Sequence, residues 1–350
     1  MTERASLWQR YLILQALDGT MRQREAAELL GVREAELAAA APGSRRLKNE
    51  WQAVFSAVAS WGPICSETRN HAVVLEVDGC HTDVLLSETV GLMLNPGGLD
   101  LRFFIRHWHS AFALERTGAD GGYCRSLLFF DEQGDAVYAL HLPQETAAAG
   151  WQALRCDLAD DGNATPLVQV GAVEAEAATV AGVDVAEFQR DWLALKDVHQ
   201  FSGLLKKYGM TRRDAFVNAP AGAAARLLPE AGRELLWRVA GAGVPVMLFV
   251  GNRGTVQIYS GVLCDVGEEG SLIVVRAPGL AMHLHGERVA ETWCVRRPTR
   301  DGSITSVELL DAAGATLLTV FGLRREGQPE RSDWRALADA LPRRGTSDVA

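Results

Sequence analysis

One histidine stands in chemically suggestive company. In "DWLALKDVHQFSGLLKKYGMTRRDAF" (191–216), residues placed at 100° intervals bring Phe188, Trp192, Leu195 and His199 into one narrow stripe, and Val198, Phe201, Leu205 and Tyr208 into a second. The pattern predicts a helix apolar on two sides, with one imidazole among aromatic rings. No second histidine, cysteine or carboxylate shares its stripe at helical spacing, where Leu195 and Ser202 stand, so zinc is not expected. No nucleophile elbow occurs in the chain, so a serine–histidine–acid hydrolase is not expected either. A lone neutral imidazole between apolar walls does suit the axial position of a haem iron, because the porphyrin supplies the other four nitrogens. The competing reading is a satisfied core histidine.

A haem also carries two propionates, which need cations. Gly209 is placed to end the histidine helix, and Thr211-Arg212-Arg213-Asp214 has the capping-box pattern that opens the next one. Arg212 falls in that first turn, within reach of the end of the preceding helix. Its planar fork can donate two parallel hydrogen bonds to a carboxylate. A solvated surface charge is the alternative.

The elements that position these residues are written twice. "ELLGVREAELAAAAPGSRRL" (28–47) matches "LLKKYGMTRRDAFVNAPAGAAARL" (204–227) with Gly31 on Gly209 and Pro42 on Pro220. "WGPICSETRNHAVVLEV" (61–77) matches "GVPVMLFVGNRGTVQIY" (243–259) with Asn70 on Asn252. "VGLMLNPGGLDLRFF" (90–104) matches "GSLIVVRAPGLAMHL" (270–284) through Pro-Gly, and "SLLFFDEQGDAVYAL" (126–140) matches "SVELLDAAGATLLTV" (306–320) through Asp-x-x-Gly. Such a period is a duplicated domain, not a solenoid. Helices followed by short strands predict an α+β tandem repeat, each copy a large antiparallel sheet flanked by helices, with copies at 1–180 and 181–350. Asp131–Gly134 and Asp311–Gly314 read as hairpin loops. "QETAAAGWQAL" and "SDWRALADAL" read as the closing helices. In this alignment His199 falls on Met21 and Arg212 on Glu34, so the histidine and its arginine belong to the second copy alone.

Bulk composition narrows the function classes. The 350 residues are 48% hydrophobic with 34 glycines and 12 prolines, enough for two full cores. With 23% charged residues and no long polar tract, disorder is expected only at the last few residues. The net charge of −9 argues against a protein of nucleic-acid surfaces. "QREAAELLGVREAELAAAA" (23–41) imitates a helix-turn-helix, but its would-be recognition helix has two glutamates and one arginine. No apolar run is long enough to span a bilayer, and the charged N-terminus does not read as a secretory signal. The six cysteines lack metal or disulfide spacing and read as scattered reduced core thiols of a cytoplasmic protein.

"DVHQFSGLLKKYGMTRRDAF", "VPVMLFVGNRGTVQIYSG", "VVRRPTRDGSITSVELLDAAG" and "LNPGGLDLRFF" together resemble, in order from about residue 8 to about residue 340, the hemin-degrading factor family. These are the HemS/HmuS/ChuS-like cytoplasmic haem proteins of bacterial haem-uptake systems. The resemblance implies haem in a cleft of the C-terminal copy, with His199 of "DVHQF" as its iron ligand and Arg212 on a propionate. It implies contacts from Arg102 and Phe104 of "LDLRFF", reaching in from the N-terminal copy. It also implies a propionate contact from Arg297, where relatives have lysine. The chain departs from the pattern at Leu318, where relatives tend to have tyrosine, and at His285, where arginine is usual. His107 and His109 are weaker candidates for a second ligand or transfer site, His71 could be of the same kind, and His81 and His141 read as surface residues. Two functions are open. One is oxidative ring opening with iron release, fed by a reductase or chemical donor because no GxGxxG cofactor motif is present. The other is a carrier that takes haem from an inner-membrane ABC importer to a separate haem oxygenase.

Overall fold

The computed structural model describes residues 3–18, 21–95, 98–117, 123–142, 148–162, 168, 182–325 and 327–343. The expected copy boundary at 180/181, the chain's last residues and the Pro96-Gly97 of the Asn-Pro-Gly-Gly turn lie outside them. Two compact units are formed. The first comprises 1–69, 75–172 and 252–257; the second comprises 70–74, 173–251 and 258–350.

In the first unit, helices α1 (Glu3–Leu17), α2 (Gln23–Leu30) and α3 (Glu34–Ala40) precede strand β1 (Arg45–Leu47) and helix α4 (Trp51–Val58). Strands β2 (Pro63–Arg69), β3 (Val73–Cys80), β4 (Leu85–Leu86), β5 (Gly91–Met93) and β6 (Leu99–Phe103) follow. After a short 3₁₀ turn come β7 (Ser110–Thr117), β8 (Tyr123–Phe130), β9 (Ala136–Leu142) and helix α5 (Ala148–Asp157). Its strands run in the order β1-β7-β8-β9-β2-β3, and β4-β5-β6 form a further antiparallel run.

The second unit repeats this plan. Helices α6 (Val185–Leu193), α7 (Gln200–Tyr208) and α8 (Arg212–Val217) precede β10 (Ala224–Leu227) and α9 (Ala231–Ala242). Strands β11 (Val246–Gly251), β12 (Thr255–Gly261), β13 (Asp265–Glu269), β14 (Leu272–Ala277) and β15 (Leu280–His285) follow. Then come β16 (Glu291–Thr299), β17 (Gly302–Leu310), β18 (Thr316–Gly322) and α10 (Ser332–Asp339). The order β10-β16-β17-β18-β11-β12, with the ribbon β13-β14-β15, matches the first unit strand for strand. The α+β tandem repeat is therefore what the chain adopts.

Local chemistry explains the matched turns. Gly134 (φ 80°) and Gly314 (φ 85°) take the left-handed position of their hairpin loops, where a side chain would be strained. Asp131 Oδ1 accepts from the Asp135 N–H, and Asp311 Oδ1 from that of Ala315. Both hairpins slip register one residue before the loop, at Phe129/Phe130 and Leu309/Leu310. Helices α1–α3 bury Trp8, Tyr11 and Leu37 on the sheet of the first unit. Helices α6–α8 bury Phe188, Trp192, Phe201 and Phe216 on that of the second.

Several sequence expectations are corrected. The helix-turn-helix geometry exists, with Gly31 as the left-handed cap of α2. However, α3 buries Glu34, Ala35, Leu37, Ala38 and Ala40, so it has no face to offer a groove. Cys124, Cys156 and Cys264 are exposed, not core thiols. His81 is wholly buried, not a surface residue. Its Nε2 lies 2.7 Å from Tyr138 Oη and 3.0 Å from Ser66 Oγ.

Burial pushes the His81 pKa down from 6.5 to about 4. The unfolded chain therefore binds this proton first, so the contribution to stability is complete above pH 6.5 and is lost as pH falls towards 4, by roughly 3 kcal/mol. His81→Leu is expected to flatten the acid dependence of urea unfolding in that window. An unchanged slope would show that His81 is not the group responsible.

Candidate functional site

The chain around His199 does not continue the helix that its spacing predicts. Helix α6 stops at Leu193, and α7 starts at Gln200. Between them the Asp197 carboxylate accepts the backbone N–H of His199 at 2.7 Å, and the Lys196 N–H donates to Gln200 Oε1 at 2.8 Å. Arg300 N–H donates to the Lys196 carbonyl and ties the segment to the β16–β17 loop. Phe188, Trp192, Leu195 and Phe201 are buried as expected, but His199 is not among them. Its side chain is 69% exposed. The core-histidine reading therefore fails, and so does the expectation of apolar aromatic walls around the imidazole.

What the imidazole does have is a carboxylate. Nδ1 lies 2.6 Å from Asp197 Oδ1. With the carboxylate accepting from Nδ1–H, the Nε2 lone pair is left for a ligand. The His199 backbone N–H, and then its imidazole, hold the Asp197 carboxyl below its ordinary range. Sequence reasoning missed Asp197 because it searched at helical spacing, whereas the pair is two residues apart on a turn. Among the described residues no group of three or more histidine, cysteine, aspartate or glutamate side chains could hold a metal ion.

Beyond α7 the expected helix end and helix start are both present. Gly209 (φ 59°) caps the helix in the left-handed conformation, and Thr211 with Asp214 forms a full capping box on α8. Arg212 stands in the first turn, its side chain 33% exposed, with Nη1 2.9 Å from Glu308 Oε2.

Arg297 is placed differently from the expected cation at a haem edge. Its side chain is 3% exposed, and Glu308 beside it is 0% exposed. Arg297 Nη2 donates to Glu308 Oε1 at 2.5 Å and Nη1 to Ser306 Oγ at 2.9 Å. The guanidinium packs over Phe201, 4.1 Å from the ring centroid. Burial raises the pKa of Glu308, but Arg297 and then Arg212 overcome it, so the carboxyl stays ionised below its ordinary range. Glu308 thus bridges a buried arginine to a half-exposed one, and both guanidiniums lie against the Phe201 ring of α7.

Arg102, on β6, and Phe104, which follows it, are half-buried in the first unit. The Phe104 N–H donates to the Gly254 carbonyl at 2.9 Å. His71 Nε2 lies 3.2 Å from Asp311 Oδ2, His285 Nδ1 lies 3.2 Å from Glu287 Oε1, and His107 and His109 are half-buried. His141 bonds to Ser126 and Glu67. A cavity of about 450 Å³ in the second unit, lined among others by Pro229, Arg233, Glu268, Ile273 and Val289, contains none of the candidate site residues.

Comparison with known proteins decides the family. The haemin-degrading HemS/ChuX domain model matches the chain twice, over residues 31–158 and 209–341. The chain belongs to the HemS family. It is 36% identical over 333 residues to the hemin transport protein HmuS of Yersinia pestis, covering 95% of this chain and 96% of that one. It superposes on the crystal structure of holo-PhuS, a haem-binding protein from Pseudomonas aeruginosa, with a TM-score of 0.91 at 35% identity, covering 98% of this chain and 100% of that one. The haem-degrading enzyme ChuS of Escherichia coli O157:H7 gives a TM-score of 0.89 at 33% identity, with 97% and 99% covered.

Removing one side of the buried ion bridge is expected to be costly. Glu308→Leu alone leaves Arg297 uncompensated and is expected to lower stability by about 3–5 kcal/mol in urea unfolding. Arg297→Met combined with Glu308→Leu is expected to recover most of it. A single variant as stable as the parent would contradict the bridge.

Proposed function

We propose that this chain binds haem through His199 in the bacterial cytoplasm and opens the ring oxidatively, releasing iron with electrons from an external reductase or chemical donor. The observation that carries the reading is the exposed His199 imidazole, whose Nδ1 is engaged by Asp197. Such an arrangement fits an iron ligand that presents Nε2, and it has no use as core packing. The names of the relatives, hemin transport, haem-binding and haem-degrading proteins, support the same ligand. Haem is the substrate here and brings the redox-active iron and the ring carbon to be attacked.

The chain's own residues bind and orient it. Asp197 holds the proton on Nδ1 and fixes the ring plane. Arg212 keeps donors of its five-donor fork for a propionate while Glu308 anchors it from the core side. Arg297 enters the proposal behind Arg212, as the buried counter-charge that keeps Glu308 in place. Arg102 and Phe104 are proposed as haem contacts on the resemblance of their segment alone. The inner-membrane haem importer and an electron-donating reductase are the proposed partners.

The second reading is a carrier that hands haem to a separate oxygenase. It is favoured by the 69% exposure of the His199 side chain, because a ligand on an open turn releases its cargo readily. Incubation with haem and then ascorbate or a reductase in air, with catalase present, separates the two. Decay of the Soret band to a biliverdin-like product is expected, whereas a persistent band would contradict ring opening and leave the carrier.

Two variants probe the geometry. Asp197→Ala is expected to weaken haem affinity about 10–100-fold in Soret titrations. Arg212→Ala is expected to weaken affinity while leaving the axial-ligand spectrum unchanged; a changed spectrum would place Arg212 at the iron instead.

A further inference from the structure

The first unit contains a polar and aromatic cluster that its repeat lacks. Ser66, His81, Phe103, Phe129 and Tyr138 are all buried to 1% exposure or less. At the matching positions the second unit has Leu248, Leu263, Leu284, Leu309 and Leu318, equally buried. Strand register supports the equivalence: Phe129 lies opposite Tyr138 as Leu309 lies opposite Leu318, and Ser66 lies opposite Leu140 as Leu248 lies opposite Val320. The same backbone plan therefore folds around leucine. Burying three polar side chains there is a cost that the fold does not require.

The geometry of the cluster is that of a tyrosine with a base. Tyr138 Oη is 2.7 Å from His81 Nε2 and 2.9 Å from Ser66 Oγ, and His81 Nδ1 has no hydrogen-bond partner. Oxidisable rings lead outward from it. Trp108 is 6.1 Å from Tyr138 between centroids, and Trp51 is 5.6 Å from Trp108. Trp51 reaches 9% exposure at the edge of the core.

We propose that Tyr138 is a one-electron redox site, with His81 as its proton acceptor and Trp108 and Trp51 as the route by which the electron leaves. A strong one-electron oxidant, the class that peroxide and transition metals generate, takes an electron through Trp51 and Trp108. Tyr138 supplies it and passes its phenolic proton to His81 Nε2, leaving a neutral phenoxyl radical and an imidazolium. A reductant such as ascorbate or a thiol returns the electron, and the proton goes back from Nε2 to Oη. The proton moves because the radical cation of a phenol is a far stronger acid than an imidazolium, even a buried one, so the positive charge comes to rest on the His81 ring. Burial pushes the Tyr138 hydroxyl far above its ordinary value, so no phenolate exists beforehand. Burial also keeps His81 neutral, so Nε2 can accept and then release the proton.

The test uses the full chain without haem, oxidised by photogenerated tris(bipyridine)ruthenium(III) and freeze-quenched for electron paramagnetic resonance. The parent is expected to give a neutral tyrosyl signal that forms more slowly in D₂O, and Tyr138→Phe is expected to lose it. Trp108→Phe is expected to slow its appearance. His81→Leu, which copies the second unit, is expected to abolish the long-lived signal. A parent without a tyrosyl signal, a signal that survives in Tyr138→Phe, or formation with no solvent isotope effect overturns the proposal.

Discussion

Two asparagines do for both units what no other side chain could do as compactly. Asn70 Oδ1 accepts the N–H groups of Ala72 and Val73, while its amide donates to the Gly251 and Leu317 carbonyls. Asn252 Oδ1 accepts from Gly254 and Thr255, while its amide donates to Arg69 and Val137. Each amide thus has both acceptor sites and both donors occupied, and satisfies backbone groups that a tight turn would otherwise leave unpaired inside the protein. The turns after β2 and β11 and the strands they set depend on these bonds, which is why the duplicated backbone is maintained at this point residue for residue.

Around that shared frame the two fillings diverge. In the first unit the helix after the glycine cap contributes an acid, Glu34, which takes Arg69 and the Ala136 N–H. In the second unit the matching residue is Arg212, and the acid comes from the sheet as Glu308, where the first unit has buried Leu128. The charge at this helix position is reversed, and its partner comes from a different strand, β17 instead of β2. Met21 packs against the core of the first unit, whereas His199, its counterpart, is turned out to solvent beside Asp197. The second unit has an exposed histidine–carboxylate pair and a cation beside a buried anion, and the first has the Ser66–His81–Tyr138 cluster.

Much of this is written locally enough to be read from sequence. The glycine cap at Gly209, the Thr211 capping box and the Asp131 and Asp311 loops each depend on residues within five positions of one another, and the duplication shows because such local signals recur in the same order in the second copy. The turn at 194–199 is not legible in that way, because apolar residues continue at helical spacing through Leu195, Val198 and Phe201. The helix is interrupted by the Asp197 carboxylate and by a bond from Arg300, about a hundred residues downstream. The burial of Arg297 is set by Glu308 on the neighbouring strand, and that of His81 by Ser66 and Tyr138 from two other strands. A lone arginine or histidine in sequence carries no mark of such partners. One mark was available: Leu248, Leu263 and Leu318 stand where the other copy has serine, histidine and tyrosine.

The central claim is that the imidazole of His199 is the iron ligand. The most direct measurement is the ferric Soret spectrum of the chain titrated with hemin, compared among the parent, His199→Ala and Met21→Ala. The account predicts an altered band and weaker binding in the histidine variant and an unchanged spectrum in the methionine variant, which alters the matching position of the other unit. A histidine variant with the parent's spectrum and affinity would contradict it.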